Sequence, residues 1–198
     1  MVLNYKEKFT IKKIDFLSKL FLAFLPIAAI GFLFSKQVKA LFSLDVVAVM
    51  FIVGGVAFLI AEKFYTEKEG FIDDVEQMSY KQAFLIGCAQ VLGLIPGTSR
   101  SGSTIIAAMF LGLTRKASAE FSFLLAVPVM SAATAYDIFK HYHEFNVDNL
   151  IVLAVGFVVS FIVAYATIKL FLQFLRRFTF VAFGIYRIFF GLFLLAIY

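Results

Sequence analysis

Five hydroxyl side chains, two glycines and one arginine crowd into Pro96–Thr104, a polar break inside an apolar stretch. Thr98, Ser99, Ser101, Ser103 and Thr104 supply the hydroxyls, while Gly97 and Gly102 permit turns and close approach that other residues forbid. A helix restarting near Ser103 or Thr104 aims free N–H groups and the positive end of its dipole into the break. Arg100 adds a fixed charge whose forked donors match phosphate oxygens. Each of these features favours an anion, and phosphate best. The loop holds no Asp, Glu or His, so a serine nucleophile would lack the adjacent base that activates it. The residues therefore support binding and charge stabilisation directly, with a nucleophilic serine as the alternative. A plain hydroxyl-rich hinge would not need an arginine, which is costly at membrane depth.

Other polar residues are scattered more thinly. Gln90 either contacts the same ligand or makes an interhelical hydrogen bond. Arg187, central in the last apolar run, could complete the anion site, pair with a buried acid, or reach to the interface. His141 and His143 share a polar loop with no further ligands spaced for a metal, and read as surface residues. Cys88 is the only cysteine, which excludes an internal disulfide, and it reads as a small packing residue. The Gly54-Gly55 pair suits a close helix–helix contact.

The elements that must position the loop are membrane helices. The chain is 62% hydrophobic with 27 Phe among 198 residues, and only 16% is charged. Soluble domains are about half apolar. The net charge of +5 sits beside apolar runs rather than in one patch, so it suits orientation and anionic headgroups, not nucleic acid. Long apolar runs cover 14–34, 44–61, 117–139, 150–175 and 178–198, each long enough to cross about 30 Å of hydrocarbon. The first is too long for a signal-peptide core and is read as retained. Between the second and third lies the acidic connector Glu62–Ser79, read as solvated, and then the broken segment at about 80–113. Irregular backbone survives at membrane depth only against protein or a wet cavity, so the broken segment is expected to enter and return. The expected fold is all-α: one domain over 1–198, a polytopic bundle of about five transmembrane helices plus one re-entrant helix–loop–helix. The positive-inside rule then puts the N-terminus, Arg115-Lys116 and Arg176-Arg177 on the cytoplasmic side.

The run Gln90–Thr104 closely resembles a signature of the undecaprenyl-diphosphate phosphatase (bacitracin-resistance) family. Pro96, Gly97, Ser99, Arg100, Ser101 and Thr104 meet that pattern, and Leu111–Pro128 and Tyr186-Arg187-Ile188 are similar to the family as well. The resemblance implies inverted repeats with two re-entrant pairs, of which this chain shows an incomplete set. It implies hydrolysis of undecaprenyl diphosphate to the monophosphate and phosphate, which recycles the lipid carrier for peptidoglycan and confers bacitracin resistance. Carried over by position, Ser99, Arg100 and Thr104 form the catalytic set holding the diphosphate, with Gly97, Thr98, Ser101, Gly102, Ser103, Gln90 and Arg187 around the substrate. The resemblance also implies a divalent cation (Mg or Ca) and the bacterial plasma (inner) membrane, and leaves self-association open. An earlier family motif, with paired glutamates, serines and a histidine, has no match here. The chain is expected to begin after that motif, and with it the base and metal ligands. A non-catalytic binder or transporter of phosphorylated isoprenoid lipids is the rival reading.

Overall fold

Ser and Thr side chains set where several helices begin. The structure, a computed structural model, describes residues 5–144, 147–175 and 179–197. Its elements are α1 (Tyr5–Leu33), α2 (Ser35–Ala40), α3 (Leu44–Phe64), α4 (Tyr80–Gln90), α5 (Arg100–Phe110), α6 (Arg115–His141), α7 (Val147–Leu175) and α8 (Val181–Ile197). Ser43 caps α3 by accepting from Val46 N, and Ser79 with Gln82 forms a capping box on α4. Ser99 caps α5 and Thr114 caps α6. Helices with stretches long and apolar enough to cross a membrane lie at Lys12–Leu33, Leu44–Phe64, Arg115–His141 and Ile151–Phe174, and α8 is a shorter apolar helix. The chain is an all-α, multi-pass membrane bundle.

Two pairings organise it. Helix α3 lies against α8, and α1 against α4, with α5 between α4 and α6. The first contact is very close: a Cβ on Gly55 would stand 2.7 Å from Gly184 O, and one on Gly191 2.7 Å from Ala48 O. Without side chains at the crossing, backbones approach and dispersion contacts accumulate, which is how helices associate when lipid is as apolar as they are. Helix α7 packs chiefly on α6 and is otherwise exposed along most of its length.

The broken segment does enter and return on one side. Ile72, before α4, and Leu113, after α5, pair as an isolated parallel bridge, with Ile72 N donating to Gly112 O and Thr114 N to Ile72 O, each at 2.9 Å. Thr114 Oγ1 adds a bond to Asp73 at 2.9 Å. The same end of the bundle holds the start of α1, where Asp15 pairs with Lys19, Tyr80 donates to Asp15, and Lys19 donates to Glu76 O. From that end the hairpin climbs far. Its Leu94 side chain lies against Gly31, its tip reaches Val47 and Gly54, and Arg187 beside the tip donates to Met50 O. At about 1.5 Å of rise per residue, Gly31 is roughly 24 Å along α1 from Asp15, and Met50 roughly 18 Å along α3 from Glu62. The tip therefore packs against the middle of α3, between Val47 and Gly54, well inside that apolar helix.

Several expectations need correction. The acidic connector is not simply solvated. Glu62 belongs to α3, is nearly buried, receives Arg115 in a fork with Nη2 at 2.7 Å, and accepts Phe180 N at 2.9 Å ahead of α8. Tyr65 donates to Leu113 O at 2.7 Å beneath the Arg115 guanidinium. Burial pushes its phenol up, and Glu67 adds to the shift. The connector thus ties α3, α6 and α8 together. Cys88 is exposed rather than packed, because the buried stripe of α4 runs through Ala83, Ile86, Gly87 and Gln90, on another side of the helix. The link after α1 contains the short helix α2. His141 ends α6 and meets Asp137 at 3.3 Å. Arg176-Arg177 lie outside the described residues.

Candidate anion site in the re-entrant hairpin

A single 3-10 turn, Val91–Leu94, tightens the end of α4 before the chain crosses to α5. Gly97 has φ +87°, and a Cβ there would stand 2.5 Å from Val47 O, so only glycine fits this turn against α3. Ser99 has φ +74°, alone among the described non-glycine residues in the left-handed region. Such a conformation costs about 1–3 kcal/mol and persists where the surroundings enforce it. Here the enforcing contacts are its own caps. Ser99 Oγ accepts Gly102 N at 3.1 Å, and its carbonyl accepts Ser103 N at 3.0 Å and Ser103 Oγ at 3.2 Å.

Helix α5 consequently restarts at Arg100, three residues before the expected Ser103. The first-turn N–H groups of Arg100 and Ser101 have no intrahelical partner, and they carry the positive end of the dipole. Ser99 Oγ and Ser101 Oγ lie 3.4 Å apart beside them. Arg100 is braced from one edge: Nη1 donates to Gln90 Oε1 at 3.2 Å and to Ser122 O at 3.5 Å. Its Nε and Nη2 meet no acceptor among the described residues. Gln90 is fully buried, and its Nε2 donates to Ala23 O at 3.5 Å, so it orients Arg100 from α1. Thr98 Oγ1 is buried with no partner among the described residues, a group that an anion oxygen or an ordered water would satisfy.

Thr104 and Arg187 stand behind this surface rather than on it. Thr104 is fully buried, with its hydroxyl placed against Arg100 O, Ser101 O and, at 2.7 Å, Ser122 Oγ. It backs the first turn of α5. Among the described residues Arg187 pairs with no acid, and it is buried in the bundle. It is 3% exposed, and its Nη2 donates to Gly97 O at 2.5 Å and to Thr98 O and Met50 O at 3.1 Å each. Its guanidinium also lies over Phe51, 4.8 Å from the ring centroid. Gly54 makes room for it: a Cβ there would stand 2.5 Å from Arg187 Nη2. Arg187 thereby turns the loop carbonyls away from the anion face.

Hydroxyls, exposed first-turn N–H groups and one free guanidinium edge form a donor set for phosphate oxygens. They do not form a cation site. Among the described residues no three His, Cys, Asp or Glu side chains gather where they could hold a metal, and the tip carries no carboxylate. The residues present therefore do not fit the divalent cation that the resemblance implies.

Residues 2–193 match the family model described as bacitracin resistance protein BacA. The chain belongs to that family. This BacA-family chain is 65% identical over 196 residues to an undecaprenyl-diphosphatase of Sulfurimonas denitrificans, covering 98% of this chain and 77% of that protein. It is 59% identical over 197 residues to one from Sulfurovum sp., covering 100% of this chain and 78% of that protein. An undecaprenyl-diphosphatase of Methanococcus aeolicus is 50% identical over 192 residues, covering 97% of this chain and 75% of that protein.

Within this BacA-family fold, the hairpin unites Gly97 to Thr104 with Gln90, as the sequence suggests, and Arg187 joins from behind. Ser122 was not anticipated. Its signal was present, since Ser118 and Ser122 are polar and four apart at the start of an apolar span, which puts both on one buried face. The roles of Met50 O and Ala23 O carry no side-chain signal at all.

Proposed function

We propose that this chain hydrolyses undecaprenyl diphosphate to undecaprenyl phosphate and inorganic phosphate at the tip of the re-entrant hairpin, in the bacterial plasma membrane. The observation that carries the reading is the free Nε/Nη2 edge of Arg100 beside the open first turn of α5, on a loop deep in the bundle. Family membership and the undecaprenyl-diphosphatases at 50–65% identity supply the substrate.

In this reading Arg100 and the N–H groups of Arg100 and Ser101 hold non-bridging oxygens, and the Ser99 and Ser101 hydroxyls complete the cradle. Cleavage of the phosphoanhydride by water moves negative charge onto the bridging oxygen and the departing lipid phosphate. Preorganised donors stabilise that charge without reorganising. Thr104, Ser122, Gln90 and Arg187 fix the donors in place.

The test is phosphate release from undecaprenyl diphosphate by purified protein in detergent, with Mg2+ or Ca2+ in the buffer. Arg100→Ala should slow it by about 10²–10³, as loss of one oxyanion donor does. No release from the unsubstituted protein would overturn hydrolysis. A second reading, a binder of phosphorylated isoprenoid lipids, is favoured by one specific observation: the tip presents no general base among the described residues. Tight, Arg100-dependent binding of the lipid without phosphate release would select it.

A further inference from the structure

An apolar groove opens directly beside the anion loop. It has a volume of about 220 Å³ and is walled by Phe58, Ile105, Phe123, Ile168, Phe171 and Phe183, with almost no polar surface. Ser101 and Gly102, which also form the first turn of α5, complete its lining. The groove wall and the anion loop meet at Gly102. A Cβ on Gly102 would stand 2.9 Å from the Phe58 ring and 3.1 Å from Ser99 Oγ. On the other side the groove is bounded by Thr167, Ile168 and Phe171 of the otherwise exposed helix α7.

We infer that this groove seats the isoprene units next to the diphosphate, so that α7 and α8 read the branched tail while the hairpin holds the head. The inference rests on the proposed function for the identity of the head group. What commits the groove to this occupant is its continuity with the loop. In a polyprenyl diphosphate the first isoprene is bonded directly to the phosphate oxygen, and Ser101 touches both compartments. A glycerophospholipid separates phosphate from acyl chain by a glycerol unit and cannot place a chain so close to that head site. The volume takes the proximal end of a polyprenyl chain and leaves the remainder in lipid. Because the bilayer already solvates the tail, the groove adds little apolar transfer energy. Its effect is on position and shape, and so on specificity more than on affinity.

The experiment uses the full chain in detergent and a farnesyl diphosphate analogue carrying a photoreactive diazirine in its first isoprene unit. Labelling is expected on Ile168, Phe171 or Phe183, competed by undecaprenyl diphosphate and not by phosphatidylglycerol. A second measurement compares phosphate release from farnesyl and dodecyl diphosphates. The unsubstituted protein should prefer the branched chain, and Ile168→Trp, on the loosely packed face of α7, should lower that preference at least threefold, mainly through KM. Labelling elsewhere, or equal competition by phosphatidylglycerol, overturns the assignment and marks the groove as a seat for bulk lipid. An unchanged preference in Ile168→Trp overturns it too. Labelling in the groove without any phosphate release keeps the groove and overturns only hydrolysis.

Discussion

Replacing Arg187 by Met tests whether this cation clamps the loop or touches the anion. Its Nη2 carries two hydrogens shared among Gly97 O, Thr98 O and Met50 O, so at most two good bonds exist at once. Bonds from a charged donor contribute about 1.5–3 kcal/mol each, or about 3–6 kcal/mol gross. Removing the guanidinium also removes its desolvation penalty, several kcal/mol for a buried ion. The net loss should then be about 2 kcal/mol, which for a chain of this size lowers Tm by roughly 4–8 °C. Methionine keeps the packing over Phe51, so the bundle should still assemble. Turnover should fall at least tenfold, because the Gly97–Ser99 turn loses the contacts that aim the first turn of α5. The assays are thermal unfolding in detergent and phosphate release on the same preparation. If Arg187→Met abolished release while Tm stayed within a degree of the parent, the clamp would be refuted and Arg187 would be a direct ligand. If neither quantity moved, the three bonds would carry nothing.

Gly54→Ala should reproduce part of that phenotype from the opposite side, since the new methyl would stand 2.5 Å from Arg187 Nη2 and 3.1 Å from Thr98 O. Phosphate release should drop severalfold in folded protein, and full activity would show that the loop can shift freely. Thr104→Val should cost about 1–3 kcal/mol by stranding the buried Ser122 hydroxyl, and Ser122→Ala less, because Thr104 Oγ1 keeps the Arg100 and Ser101 carbonyls. The double variant should cost less than the sum, so additive Tm losses would argue against the 2.7 Å bond. Glu62→Ala should destabilise by about 2 kcal/mol, below the about 3–5 kcal/mol of a fully buried pair, because Arg115 keeps some water. An unchanged Tm would make the α3–α6–α8 tie dispensable.

The hairpin was legible because lipid makes polar residues informative. The polar run Pro96 to Thr104 could not face hydrocarbon, and its hydroxyls with one arginine already named an anion. Less legible was anything decided by partners distant in sequence. Glu62 looks like one more acid in an acidic connector, and only folding reveals that Arg115 and Phe180 N converge on it. Arg187 could be placed in the middle of the last apolar run, yet its partners are carbonyls, which every residue possesses and no sequence pattern marks. The restart of α5 was placed three residues late because Ser99 adopts a left-handed backbone that its residue type does not advertise. Cys88 was misplaced for a simpler reason: on a helix half facing lipid, an apolar residue is as much at home outside as inside.

The depth of the hairpin tip has an electrical consequence. The tip meets α3 roughly 12–22 Å along that helix from Glu62, near the middle of a span that crosses a layer about 30 Å thick. An anion reaching it from either face through a dry path would cross about half of the transmembrane field. One elementary charge crossing the whole field corresponds to about 2.3 kcal/mol per 100 mV. A head group with about three charges would then feel about 3 kcal/mol per 100 mV, more than a hundredfold change in occupancy. A flooded vestibule would carry the field past the tip and erase that dependence. The membrane voltage is therefore coupled to the site in proportion to how dry the approach to Arg100 is.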